Sequence, residues 1–236
     1  GETSKTLCAN AGRACRVGSC VDLLRSLPKV RRDLSARARG KDDFAVLVAK
    51  LFGRDYFDGD RVFGYGGYRY DGRWRPVVRD IMEHYKLPAG ARVLDVGCAK
   101  GFLVSDMVDA GLNACGIDVS HYAVVDAPYP AAAPRLRLGS ADALPFSDQS
   151  FDLVLSINTL HNLPRAGVIK ALQEIKRVSR RGMFIQVDSY RTPTEKALFE
   201  EWVLTAQFHG YPSEWLALFA EAGYDGDYAW TIVGAS

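Results

Sequence analysis

The stretch RVLDVGCAKGFLVSDM, Arg92 to Met107, constrains the fold of this chain more than any other. A short apolar run enters a turn containing Gly97, Ala99 and Gly101, and the turn opens into apolar residues at helical spacing. A strand that passes through a glycine turn into a helix is the first half of a βαβ unit. The alternation then continues. Helices are expected at 75–87, 101–111, 121–127, 166–179, 193–209 and 213–223, and strands at 92–97, 112–120, 135–141, 151–158, 182–190 and 227–233. This order predicts an α/β fold: an open, doubly wound, mostly parallel sheet of six to seven strands with helices on both faces.

Residues 1–54 are set apart by charge, with 12 Lys and Arg against 5 Asp and Glu in a chain whose net charge is only +2. Apolar residues at helical spacing in 21–40 and 41–57, punctuated by Pro28 and Gly40, predict a basic helical arm over 1–54. Such an arm either grips an anionic partner or is a solvated helix face. Five cysteines, an odd number, are too few for a disulfide scaffold, and the C-x6-C-x4-C spacing of Cys8, Cys15 and Cys20 lacks the paired ligands of a zinc site, so no metal is expected. With no apolar run long enough to cross a bilayer and no leader-like start, a soluble cytoplasmic protein is expected.

Between arm and sheet, residues 55–75 alternate aromatic rings with Gly, Arg and Asp. Four glycines at 64, 66, 67 and 72 permit sharp turns, while Tyr65, Tyr68, Tyr70 and Trp74 supply rings and Arg69 and Arg73 supply planar cations. We read this as an ordered lid loop with exposed rings, the alternative being a packed hairpin at the sheet edge. The remaining 76–236 would be the catalytic domain.

The glycine turn is not a dinucleotide fingerprint, because the third glycine of G-x-G-x-x-G falls on Phe102. Its pattern is Asp95-x-Gly97-x-Ala99-x-Gly101. A carboxylate fixed beside the turn opposes a pyrophosphate, since like charges about 4 Å apart cost about 4 kcal/mol at an effective dielectric near 20. It favours an ammonium.

This pattern resembles the first strand of the class I S-adenosylmethionine-dependent methyltransferases, D-x-G-x-G-x-G, departing at Ala99; the added methyl is tolerable if the backbone there keeps a negative φ. Three later segments extend the resemblance over residues 93–163. CGIDVS places Asp118, followed by Val119, 23 residues after Asp95, where an acidic side chain accepts the ribose hydroxyls. GSADALPFSDQSFDLV places Asp142 between Ala141 and Ala143, where the family holds adenine, and FDLVLSINTLHNL is similar to the fourth strand and its exit loop.

The resemblance implies a Rossmann-like fold, S-adenosyl-L-methionine as cofactor, and cofactor contacts from Asp95, Gly97, Cys98, Ala99, Gly101, Asp118, Val119, Ala141, Asp142, Ala143 and Asn158. His161 and Asp188 are the candidate catalytic residues: His161 as proton acceptor, with packing or loop hydrogen bonding as its alternative, and Asp188 as proton acceptor or metal-independent substrate anchor, with capping of the following helix as its alternative. Tyr65, Tyr68, Arg69, Arg73, Trp74, Tyr190 and Arg191 are the candidate substrate contacts. The arginines, with Lys100, suit a small anionic acceptor, as in carbohydrate or secondary-metabolite pathways, methylated at O or N. The loop NTLHNL lacks the N/D-P-P-Y/F motif of nucleobase N-methylation, so nucleic acid is not the expected partner. Methylation of RNA or protein through the basic arm, and a non-catalytic cofactor-binding subunit, stay open as alternatives. The family's usual final hairpin needs two strands after the fifth, and only 227–233 is present. Either a seventh strand is missing or the arm replaces it. The sequence sets no oligomeric state.

Overall fold

The computed structural model describes residues 18–28 and 40–232. Six strands, β1 (Arg92–Val96), β2 (Asn113–Asp118), β3 (Leu136–Leu138), β4 (Phe151–Ile157), β5 (Ser179–Ser189) and β6 (Asp227–Ile232), form one sheet in the order β3-β2-β1-β4-β5-β6. Every neighbouring pair is parallel. Order reverses between β1 and β4, which opens a crevice at their carboxyl ends, the place where such sheets bind ligands.

Central strands of a parallel sheet are covered on both faces and therefore read as continuous apolar runs. Accordingly, Val93, Leu94 and Val96 of β1 and Leu153, Val154 and Leu155 of β4 are buried. One face packs on α3 (Arg75–Tyr85) and α4 (Phe102–Asp109) through Val77, Ile81, Val104 and Met107. The other packs on α5 (Arg165–Val178) and α7 (Pro212–Ala222) through Leu172, Ile175, Trp215 and Phe219. No helix among the described residues is long and apolar enough to cross a membrane.

Several elements are shorter than their patterns suggest. The 193–209 segment is helical only as α6 (Pro193–Trp202), β3 ends at Leu138, and the expected helix at 121–127 is a single π-helical turn, Tyr122–Asp126. No antiparallel seventh strand separates β5 from β6. Instead the N-terminal segment lies outside β6, with Cys20 bridging Tyr228 and Val21 N–H donating to Tyr228 O at 2.9 Å.

Among the described residues the arm meets the helical expectation in part. Residues 21–28 are extended backbone and turn, although Leu23 is fully buried. Edge pairing takes the Val21 backbone N–H, and the residues that follow turn on themselves, Leu27 N–H donating to Leu24 O at 2.9 Å. After residue 40 the helical pattern yields α1 (Asp43–Lys50) and the short α2 (Arg54–Asp58). Cys8 and Cys15 lie outside the described residues, and Cys20 is a free, exposed thiol.

The rings of the 55–75 segment are not generally exposed. Tyr68 stacks on Phe102, the first residue of α4, at 4.7 Å between centroids, and Tyr70 stacks on Tyr129 at 4.5 Å. Tyr65 stays 44% exposed, whereas Trp74 packs into the core beside α3. Aromatic area of this size gains more by mutual burial than by facing water.

Candidate functional site

The glycine turn is held in a left-handed backbone at three positions, Gly97 (φ 84), Ala99 (φ 48) and Gly101 (φ 84). A Cβ added at Gly97 would meet Thr159 Oγ1 at 2.0 Å, so only glycine fits there. Ala99 does not keep the negative φ that the sequence reading required. Its methyl group is buried beside Phe57 and Ala123, which offsets the roughly 1–2 kcal/mol cost of a left-handed L-residue.

Asp95, at the end of β1, is 4% exposed, and its carboxylate has no hydrogen-bond partner among the described residues. Burial, and then the neighbouring Asp118, push its pKa from 3.8 up to about 7. Asp118 ends β2 and accepts from Ala99 N–H and Ser120 N–H, each at 2.8 Å. Burial raises its pKa and the backbone donors partly restore it. Asp118 thus fixes the turn as well as facing the crevice, and each oxygen keeps a lone pair. Cys98 is buried in the turn, and burial followed by the two carboxylates pushes its thiol up, away from the thiolate. Val119 is exposed at the mouth, while Asp142, after β3, accepts from Ser140 Oγ between buried Ala141 and exposed Ala143.

Beyond β4, Asn158 has a left-handed backbone (φ 53), and its Oδ1 accepts from Thr231 Oγ1 at 2.8 Å. It is turned toward β6, away from the glycine turn. His161 and Asp188 lie together and are both buried: imidazole Nε2 is 3.4 Å from Asp188 Oδ2, and Nδ1 accepts from Asp188 N–H at 3.3 Å. Both ring nitrogens therefore face Asp188. Helix capping is not the role of Asp188, because Thr192 caps α6 by accepting from Glu195 N–H at 3.1 Å.

The expected substrate contacts scatter. Tyr190 is 3% exposed, within a cluster of Phe199, Tyr211 and His209. Arg73 pairs with Asp71 at 2.5 Å and Arg191 with Glu195 at 2.5 Å. Lys100 is buried and bonded to Asp58. Arg69 is exposed and makes no ion pair among the described residues. Tyr68 turns inward from the loop: burial, then Tyr65, Asp95 and Asp118, push its hydroxyl pKa well up, so it remains a donor near the two carboxylates.

Asp58 was not visible as a site residue in the sequence. Its carboxylate accepts from Lys100 Nζ, from Tyr122 Oη at 2.6 Å and from Tyr68 N–H at 3.1 Å, tying α2 and the aromatic loop to the glycine turn. Only its position just ahead of the glycine-rich run marked it.

Residues 94–186 match the sequence profile of the family described as "Methyltransferase domain". With the carboxylates and glycine turn at the β1–β4 switch point, that match marks residues 94–186 as a methyltransferase domain. Among curated proteins the chain is similar to a Mycobacterium ulcerans protein named as a phthiotriol/phenolphthiotriol dimycocerosates methyltransferase, 32% identical over 116 residues, or 48% of this chain and 44% of that one. It is also 34% identical over 122 residues to demethylmenaquinone methyltransferase of Renibacterium salmoninarum, covering 52% and 49%. The chain thus spans about half the length of the curated relatives it matches. The methyltransferase fold agrees with a chain from the complex of the Haloferax volcanii Trm112 methyltransferase activator with a methyltransferase (TM-score 0.51, 22% identity, 63% and 67% covered). It agrees equally with the MccD protein (TM-score 0.50, 23% identity, 61% and 68% covered).

The cofactor of such domains is S-adenosyl-L-methionine. The residues present fit it. The carboxylate of Asp95, 4% exposed beside the turn, suits a cation and opposes a pyrophosphate there.

Proposed function

We propose that the protein transfers a methyl group from S-adenosylmethionine to a small hydroxyl- or amine-bearing molecule. The unpartnered carboxylate of Asp95 beside the glycine turn carries this reading. Asp95 would hold the cofactor's ammonium, Asp118 its ribose hydroxyls, and Asp142 with its neighbours its adenine. Bound there, the cofactor supplies an electrophilic methyl group on a sulfonium. The chain's own work is then to align the acceptor, exclude water and accept one proton.

For that proton we assign Asp188, with His161 as its positioning partner, since neither imidazole nitrogen faces away from Asp188. Tyr68, and Tyr65 above it, would close over the cofactor end of the site rather than the acceptor end. Support for an anionic acceptor narrows to Arg69, because Arg73, Arg191 and Lys100 each already have a carboxylate partner. Relatives named for a quinone and for a lipid point the same way, toward less charged acceptors.

The test is production of S-adenosylhomocysteine from S-adenosylmethionine, with the small-molecule, RNA and protein fractions of a bacterial extract offered separately. Turnover is expected with the small-molecule fraction, and turnover confined to RNA or protein overturns the reading. Asp188→Asn should lower kcat by about 10²–10⁴-fold while leaving S-adenosylhomocysteine affinity unchanged.

A further inference from the structure

Where the N-terminal segment meets the β5–β6 edge of the sheet and the start of α7 there is a cavity of about 310 Å³, at the small end of the roughly 300–1,000 Å³ that ligand sites occupy. None of the residues assigned above to the cofactor or to proton transfer lines it. Pro212, Trp230 and Ile232 give it apolar walls.

The polar groups of the lining are one-sided. Gln186, on β5, is 9% exposed. The Thr231 hydroxyl has a single proton, which goes to Asn158 Oδ1 at 2.8 Å, so it takes the Gln186 Nε2–H as an acceptor, also at 2.8 Å. That orders the amide and leaves Gln186 Oε1 buried without a hydrogen-bond partner among the described residues. Folded proteins seldom leave a buried acceptor in that condition. The second group is Asp22, brought to the cavity by the edge pairing of Val21 N–H with Tyr228 O at 2.9 Å. Its carboxylate is exposed and makes no hydrogen bond or ion pair among the described residues. Arg191, also in the lining, is taken up by Glu195 at 2.5 Å. The cavity therefore offers two unmet acceptors, one of them charged, and no free cation.

We propose that this cavity binds a small amine-bearing molecule, its ammonium drawn by the Asp22 carboxylate and donating to Gln186 Oε1, its apolar body against Pro212, Trp230 and Ile232. A phosphate or carboxylate would face both acceptors with no cation to offset them. A purely apolar molecule would leave Gln186 Oε1 unmet, and a neutral alcohol would meet it without using the charge of Asp22. The inference goes beyond the methyl-transfer reading and does not depend on it, since binding is measured without cofactor. If both hold, the amine belongs to the methyl acceptor or its product, and the Gln186–Thr231–Asn158 chain ties this cavity to the exit of β4.

The test is an NMR titration of the full chain at neutral pH with 2-phenylethylamine, 2-phenylethanol and 3-phenylpropionate, three probes of similar shape and different charge. The amine is expected to bind with a Kd of about 1 mM or below, the alcohol at least about threefold more weakly and the carboxylate at least about tenfold more weakly. Asp22→Asn should weaken amine binding about threefold and Asp22→Lys about tenfold, both with wild-type circular dichroism and S-adenosylhomocysteine affinity. Gln186→Leu should weaken it about tenfold; if that variant does not fold, the Asp22 pair, on an exposed side chain, carries the test alone. No amine binding up to about 10 mM, carboxylate binding as strong as amine binding, or amine affinity unchanged in both Asp22 variants would each overturn the proposal. Failure of the wild type to bind S-adenosylhomocysteine while the amine still binds would count against the methyl-transfer reading and leave this one supported.

Discussion

Asp95 shows how one residue couples the stability of this fold to its ligand. Its carboxyl titrates near 3.8 when unfolded and about 7 when folded without a cation beside it. Between those values the unfolded chain releases its proton first, so stability falls as pH rises from about 4 to about 7, by a few kcal/mol at most. Asp95→Asn should therefore raise Tm at pH 8, with the gain shrinking toward pH 4, and should abolish measurable S-adenosylhomocysteine binding. Thermal melts across that range check it, and a variant destabilised at pH 8 would show that Asp95 has a structural partner. Asp118→Ala removes the acceptor of Ala99 and Ser120 N–H as well as the expected ribose contacts. Calorimetry should find affinity about tenfold to a hundredfold weaker and the fold about 1–3 kcal/mol less stable. At this scale the sequence was readable where strand ends fix a side chain: Asp95, Asp118 and Asp188 stand at the carboxyl edge as expected. It was not readable for Tyr190 or Arg191, whose partners Phe199, His209 and Glu195 are supplied by packing and by the next helix turn.

Among the elements, the aromatic loop and α2 depend on Asp58. Burial works against its charge, but donors from Lys100, Tyr122 and Tyr68 hold its pKa below the ordinary 3.8. A depressed carboxyl contributes stability that is present above the unfolded pKa and lost as pH falls through the folded one, so the latch is intact at neutral pH. Asp58→Asn should speed amide exchange at residues 65–74 while β1 stays protected, and should weaken S-adenosylhomocysteine binding several-fold, about 1–2 kcal/mol. Unchanged exchange there would reduce Asp58 to a surface ion pair. The strand–turn–helix order was legible because period-2 and period-3.6 patterns are local. The packing of Tyr68 on Phe102 and of Tyr70 on Tyr129 was not, since nothing in a glycine-rich run says which distant ring it will meet.

Over the whole molecule, the sheet edge is where local pattern says least. The arm's apolar spacing suits a helix, yet residues 19–21 pair with β6 and the turn that follows delivers Leu23 to the core. Asp227 secures this segment, accepting from Ser19 N–H at 3.1 Å and from Tyr85 Oη at 3.0 Å. An exposed edge strand gains more by pairing than a short isolated helix does by forming, which is why the helical expectation fails in this segment. The central claim, however, concerns the crevice at the β1–β4 switch point, where two buried carboxylates face one glycine turn. Isothermal calorimetry of the wild type with S-adenosylhomocysteine and with NAD tests it most directly. The account predicts one S-adenosylhomocysteine site of about micromolar affinity, or about −8 kcal/mol, and no measurable NAD binding; NAD binding of comparable strength, or no binding of S-adenosylhomocysteine, would contradict it.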